Sequence, residues 1–159
     1  MSCHIIRLKK AQLYAVEIAP FKAFVQAQDT VEQPGMIMST DVLMPAIDPH
    51  LPAELSPTFI TTILRRQLGY QGVVITDSLY MQGIANQWNL ARASIMALNA
   101  GNDMLLGIIG SNQMSSTIAE LKLALQHGTL SKARIDEAVS HILALKMQYH
   151  LLPASSPVH

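Results

Sequence analysis

The chain has 159 residues, half of them hydrophobic and only 14% charged, with 11 basic residues balancing 11 acidic ones. That length suits one ordinary domain, and that apolar balance suits strands buried on both faces. No basic stripe invites nucleic acid or an anionic membrane, and no apolar run reaches the roughly eighteen residues that a membrane-spanning helix needs.

The opening, MSCHIIRLKKAQ, has no long apolar core of the kind a secretion signal carries, so the expected compartment is the cytoplasm. The cluster Arg7, Lys9 and Lys10 reads as a solvated face. The single cysteine, Cys3, has no internal disulfide partner and reads as incidental.

In chain order, apolar residues first recur at helical spacing between Ala11 and Gln28, with Pro20 turning the chain and starting a second short helix. The run GMIMST, Gly35 to Thr40, predicts a short strand, and a loop with three prolines follows. Ser56-Pro57 reads as the N-cap and first turn of a helix TFITTILRRQL that stops at Gly69. GVVITD, Gly72 to Asp77, is the next strand. NLARASIMALNA is a helix ended by Gly101, and DMLLG, Asp103 to Gly107, is a third strand. Two helices close the chain, Ser111 to Gln126 and one capped by Ser131 that runs to about Tyr149, with an apolar face of Ile135, Val139, Ile142, Leu143 and Leu145. The tail after Leu151 reads as frayed. Strands alternating with helices imply an α/β fold with a parallel sheet.

In such folds ligands sit beyond the carboxyl ends of the strands, which is where Asp77 stands. A carboxylate there can serve as nucleophile, general base, metal ligand or helix N-cap, and the local pattern Asp-Ser-Leu leaves those four open.

The span LPAELSPTFITTILRRQLGYQGVVITDSLYMQGI resembles glycoside hydrolase family 3, and within it the bacterial β-N-acetylhexosaminidases. The resemblance rests on Pro-Ala…Leu-Ser-Pro, Leu-Arg-x-x-Leu-Gly and, most specifically, Gly-Val-Val-x-Thr-Asp-x-Leu-x-Met. It continues through ALNAGNDMLL and the last helix, with Arg134-Ile135-Asp136, Ile142-Leu143 and Leu145-Lys146, and covers about Ala19 to Leu151.

The resemblance implies the C-terminal portion of a (β/α)8 barrel, about three βα units plus a final helix, preceded by an N-terminal helical segment over 1–18 and followed by a tail over 152–159. It implies hydrolysis of a terminal β-linked N-acetylhexosamine by the retaining route, with Asp77 as nucleophile and Asp41, Ser78 and Met81 near the sugar. Tyr80 would join the lip of the pocket. No metal or organic cofactor is implied; the implied partner is a carbohydrate.

A Lys-His-Phe-Pro-Gly-His-Gly-like block, which in the hexosaminidase branch precedes the loop carrying an Asp-His acid/base pair, has no counterpart here. None of His4, His50, His127, His141, His150 and His159 lies in such a pattern; His50 reads as a solvated loop residue, His127 as a helix-end residue and His141 as a surface residue. Asp41 stands where the family often has histidine, Asp48 reads as a structural loop residue, and Asp103 reads as a stabilising residue at the other end of the sheet. The expectation is a chain inactive alone, for want of its acid. Two alternatives are a non-catalytic half-barrel that self-associates through open sheet edges and a fragment of a β-glucosidase.

Overall fold

The computed structural model describes residues 4–28 and 33–152, so Cys3, His159 and the tail beyond Leu152 lie outside the described residues. Three parallel strands form one sheet in the order β1-β2-β3: Met36–Met38, Val73–Ser78 and Met104–Leu106. Met36, Ile37 and Met38 pair with Val73, Val74 and Ile75, and Ile75 pairs in turn with Met104.

Helices fill the connections. Helix α1 (Lys10–Gln12) runs into a wider π-turn, Leu13–Glu17, and α2 (Ala19–Val25) follows with Pro20 in its first turn. Ahead of them, Ile5 bridges in parallel to Leu43, so the first described residues are extended. Between β1 and β2 lies a ten-residue π-helix, Thr58–Gln67, where the apolar spacing of Ile60, Ile63 and Leu64 predicts a helix without fixing its pitch. Ser56 does not cap it with its side chain. Its hydroxyl donates to Asp48 at 2.5 Å, and its backbone carbonyl accepts from Phe59 and Ile60 instead.

After β2 come α3 (Gln82–Ala85) and α4 (Leu90–Ala100). Helix α4 ends at Gly101, whose φ of 116° and close approach to Thr61 Oγ1 leave no room for a Cβ. After β3 come α5 (Ser111–Gln126) and α6 (Lys132–Gln148), the latter capped by the Ser131 hydroxyl accepting from the Arg134 amide.

The helices cover one face of the sheet, and the end of α6 with Leu151 reaches Met36, Val73 and Met104 on the other. On the covered face Ile37 and Val74 pack against Ile60, Ile63, Leu64, Leu68, Tyr70 and Ala100. Leu105 packs against a second cluster around Leu55, Leu79, Ile84, Ala93 and Ala97 and a third around Leu98, Ala124 and Leu130. Each fully buried aliphatic side chain contributes about 1.5–3 kcal/mol, so this face holds the unit together. Met36, Met38, Met104 and Leu106 are exposed, Met38 by 53%.

At the amino ends of the strands Asp103 is fully enclosed by two arginines. Arg65 meets Oδ2 at 2.5 Å, Arg134 meets Oδ1 at 2.5 Å, and the Val74 amide donates to Oδ2 at 2.9 Å. The expectation that His141 lies on the surface is wrong: its Nδ1 is 3.1 Å from Asp103 Oδ1. The inward face of α6 carries Arg134, Ala138 and His141 beside Ile135, Ile142 and Leu145 of the expected apolar face, while Val139 and Leu143 are exposed. Arg134 is anchored on Asp103 and on the Leu98 and Asn102 carbonyls, which brings a polar strip into that inward face.

Candidate active site

The carboxyl end of the sheet is built from β2 and from the loop that follows β1. Between Ile75 and Ser78 the register with β3 shifts: Ile75 opposes Met104, but Ser78 opposes Leu106. Two residues of β2, Thr76 and Asp77, therefore stand against the single Leu105, which is the arrangement of a bulge. The Leu106 amide turns to the buried Thr76 hydroxyl at 2.9 Å, and the chain closes again with the Leu79 amide on the Leu106 carbonyl at 3.1 Å. Gly107, at φ 91°, lies so near Ser78 that a Cβ would collide with its Oγ and Cα. A bulge re-aims the side chain it contains, and here that side chain is Asp77.

Asp77 is half-buried, and its Oδ1 accepts from the Ser78 amide at 2.7 Å. It caps no helix: α3 starts at Gln82, with Met81 in the cap position. Ser78 and Met81 are half-buried beside it, joined by a bond from the Met81 amide to the Ser78 carbonyl, and Tyr80 is exposed and bonded to Gln113.

Asp41 and Glu54 come from the long loop. The Glu54 amide donates to the Thr40 carbonyl at 3.0 Å and the Ala53 amide to the Val42 carbonyl at 2.9 Å, so these two bonds bracket Asp41. Asp41 is buried, at 5% exposure, and Glu54 has none. A buried amide network fixes this arrangement. Asn102 donates to the Glu54 and Ala97 carbonyls, each at 2.8 Å, and accepts from the Ser39 hydroxyl at 2.8 Å. The loop itself is tied by Asp48, which accepts from the His50 and Leu51 amides and the Ser56 hydroxyl. Burial opposes its charge, but those hydrogen bonds outweigh burial and hold its carboxyl below the usual range. His50 is exposed on this loop, and His127 occupies the end of α5.

Glu54 is the residue that sequence reasoning missed. Burial, then the negative charges of Asp41 and Asp77, push its carboxyl up to about 7, against a smaller opposing effect of the Asp77 amide. A signal was present: it is a lone acid within Pro-Ala-Glu-Leu-Ser, on the same side of the sheet as Asp77. Three carboxyls thus gather at one strand mouth, and Asp77 is the most exposed of them. Among the described residues no group of three or more His, Cys, Asp or Glu is arranged to hold a metal ion.

Residues 2–145 match the family described as "Glycosyl hydrolase family 3 N terminal domain". Among curated relatives, a β-hexosaminidase A from Pseudoalteromonas piscicida is 32% identical over 157 residues, covering 88% of this chain and 25% of its own length. A β-hexosaminidase from Shewanella frigidimarina is 38% identical over 97 residues, covering 61% of this chain and 27% of its own length. Among solved structures, a family 3 β-N-acetylglucosaminidase from Paenibacillus sp. FPU-7 superposes with a TM-score of 0.85 at 31% identity, covering all of this chain and 30% of that one. The chain belongs to glycoside hydrolase family 3. It spans about a quarter of the length of these curated relatives.

Proposed function

We propose that this chain supplies the nucleophile side of a retaining β-N-acetylhexosaminidase site, with Asp77 as the nucleophile. The observation that carries the reading is the placement of Asp77: half-buried in a bulge at the carboxyl end of the central strand, steadied by the Ser78 amide. The relatives named β-hexosaminidase support the substrate class, a terminal β-linked N-acetylhexosamine.

The chemistry follows from the retaining mechanism. An Asp77 oxygen attacks the anomeric carbon as the bond to the leaving oxygen breaks, and an acid on the opposite side protonates that oxygen. Water then attacks the same carbon and releases Asp77. Asp41, Ser78 and Met81 flank the nucleophile and are the residues nearest the sugar in this reading. The reaction needs no metal or organic cofactor.

In this reading the acid comes from elsewhere than the residues around Asp77. His50 is exposed on its loop, and Glu54 is sealed from solvent and from any leaving group. In this reading the three-stranded unit is the C-terminal part of a (β/α)8 barrel, whose interior the methionine face would line. The chain alone is therefore inactive toward substrates whose leaving group needs a proton. Leaving-group dependence tests this. A 4-methylphenyl N-acetyl-β-glucosaminide should not turn over, while a 2,4-dinitrophenyl analogue should react slowly, and Asp77→Asn should abolish that reaction. Equal rates with the two leaving groups would contradict the missing acid.

A second reading rests on the exposed face. Met36, Met38, Met104 and Leu106 form an apolar surface beside two edge strands, and such a surface associates. In that reading a second copy of the chain covers the open sheet.

A further inference from the structure

Glu54 is fully buried, and its carboxyl oxygens make no hydrogen bond of normal geometry, with the Asp77 amide the one donor that approaches them. Its backbone is pinned on both sides, by Thr40 at the amide and Asn102 at the carbonyl, so the side chain cannot swing out to water without breaking that network. An ionised carboxylate buried without a partner costs far more than a neutral acid in the same place. Two other carboxyls, Asp41 from the loop after β1 and Asp77 from β2, face it. Among the described residues no cation acts on it. Helix α4, packed against Ala53–Leu55, carries Arg92 as its one charged side chain, and Arg92 is exposed. From the π-helix, Arg65 is committed to Asp103 at the far end of the sheet, and Arg66 is exposed.

We propose that Glu54 is a positioning residue for Asp77, holding a proton behind the strand mouth so that Asp77 faces solvent as the ionised carboxylate. Being sealed from solvent, Glu54 does not touch substrate; it acts through the field at Asp77. A carboxyl displaced to about 7 fits that role, because it carries no charge at the pH where an ordinary aspartate ionises. The inference rests on the reading of Asp77 as nucleophile, but its test needs no sugar.

The test is a carbon-detected NMR titration of the carboxyl groups in the uniformly labelled full chain. The Glu54 carboxyl is expected to titrate near pH 7, and the Asp77 carboxyl to record that event as a second inflection above its own. Glu54→Gln should remove the second inflection and leave the Asp77 midpoint where it was. A Glu54 midpoint near 4.5, or a fall of the Asp77 midpoint in Glu54→Gln, overturns the proposal, since either means that Glu54 was already charged when Asp77 ionised. Should Glu54→Gln not fold, Asp77→Asn provides the same decision: the Glu54 midpoint should fall once the facing charge is gone, and an unmoved midpoint overturns the coupling. Failure of Asp77 to react with a glycosyl donor would remove the nucleophile reading and leave this titration intact, so the two failures are distinguishable.

Discussion

Arg65, on the π-helix after β1, and Asp103, at the start of β3, meet at 2.5 Å beneath the sheet, at the end opposite Asp77. The carboxylate has no solvent exposure, and the arginine has 13%. Arg134 from α6 closes the other side, so one acid ties three segments of the chain together. Removing one partner of such a buried cluster leaves an uncompensated charge, which costs more than the pair contributes. Asp103→Asn should therefore destabilise the chain by about 3–5 kcal/mol in urea unfolding. A loss below about 1 kcal/mol would show that the arginines find water or another partner.

Glu54 gives stability a dependence on pH. Its folded value lies above its ordinary one of 4.5, at about 7, so the folded state holds the proton more tightly than the unfolded chain. Its contribution is complete below pH 4.5 and is lost as pH rises toward 7, after which it stays lost. The displacement corresponds to roughly 3 kcal/mol. Unfolding free energies measured across that window should decline in the wild type, and Glu54→Gln should flatten the decline.

Asp77→Asn removes one of the charges facing Glu54 while leaving the backbone bulge in place. The variant should fold with a stability at neutral pH equal to or above that of the wild type. A thermal midpoint well below the wild type's would mean that the carboxylate is a structural tie and not a group held ready for chemistry.

The methionine face should drive association. Light scattering on the purified chain is expected to give a mass above 17.4 kDa, and a Met38→Lys, Met104→Lys double variant should shift it toward the monomer by placing charge on the exposed face. A wild type that stays monomeric at high concentration would contradict the expectation.

The βα rhythm was readable because each strand is a short apolar run between turn residues, and the helix ends are marked by Gly101, free to take a φ of 116°, and by the Ser131 hydroxyl. Asp48 and Asp103 were readable as supporting residues, and the structure gives them loop-tying and charge-pairing roles. Three features were not readable. The inward placing of His141 depends on its finding Asp103, a contact 38 residues apart in sequence. The side chain of Ser56 is taken by Asp48 before it can cap the following helix. Glu54 reads as an ordinary loop acid until the Thr40 and Asn102 bonds fold its loop against the strand mouth. In each case tertiary contacts override the local pattern.

The central claim is that Asp77 forms the covalent bond to the sugar. A 5-fluoro-N-acetylglucosaminyl fluoride needs no acid to lose its leaving group, so it can report the nucleophile when the acid is absent. Incubation with the full chain, followed by peptide mass spectrometry, should place one glycosyl adduct on Asp77, and Asp77→Asn should carry none. An adduct on another residue, or none on the folded wild-type chain, would contradict the account.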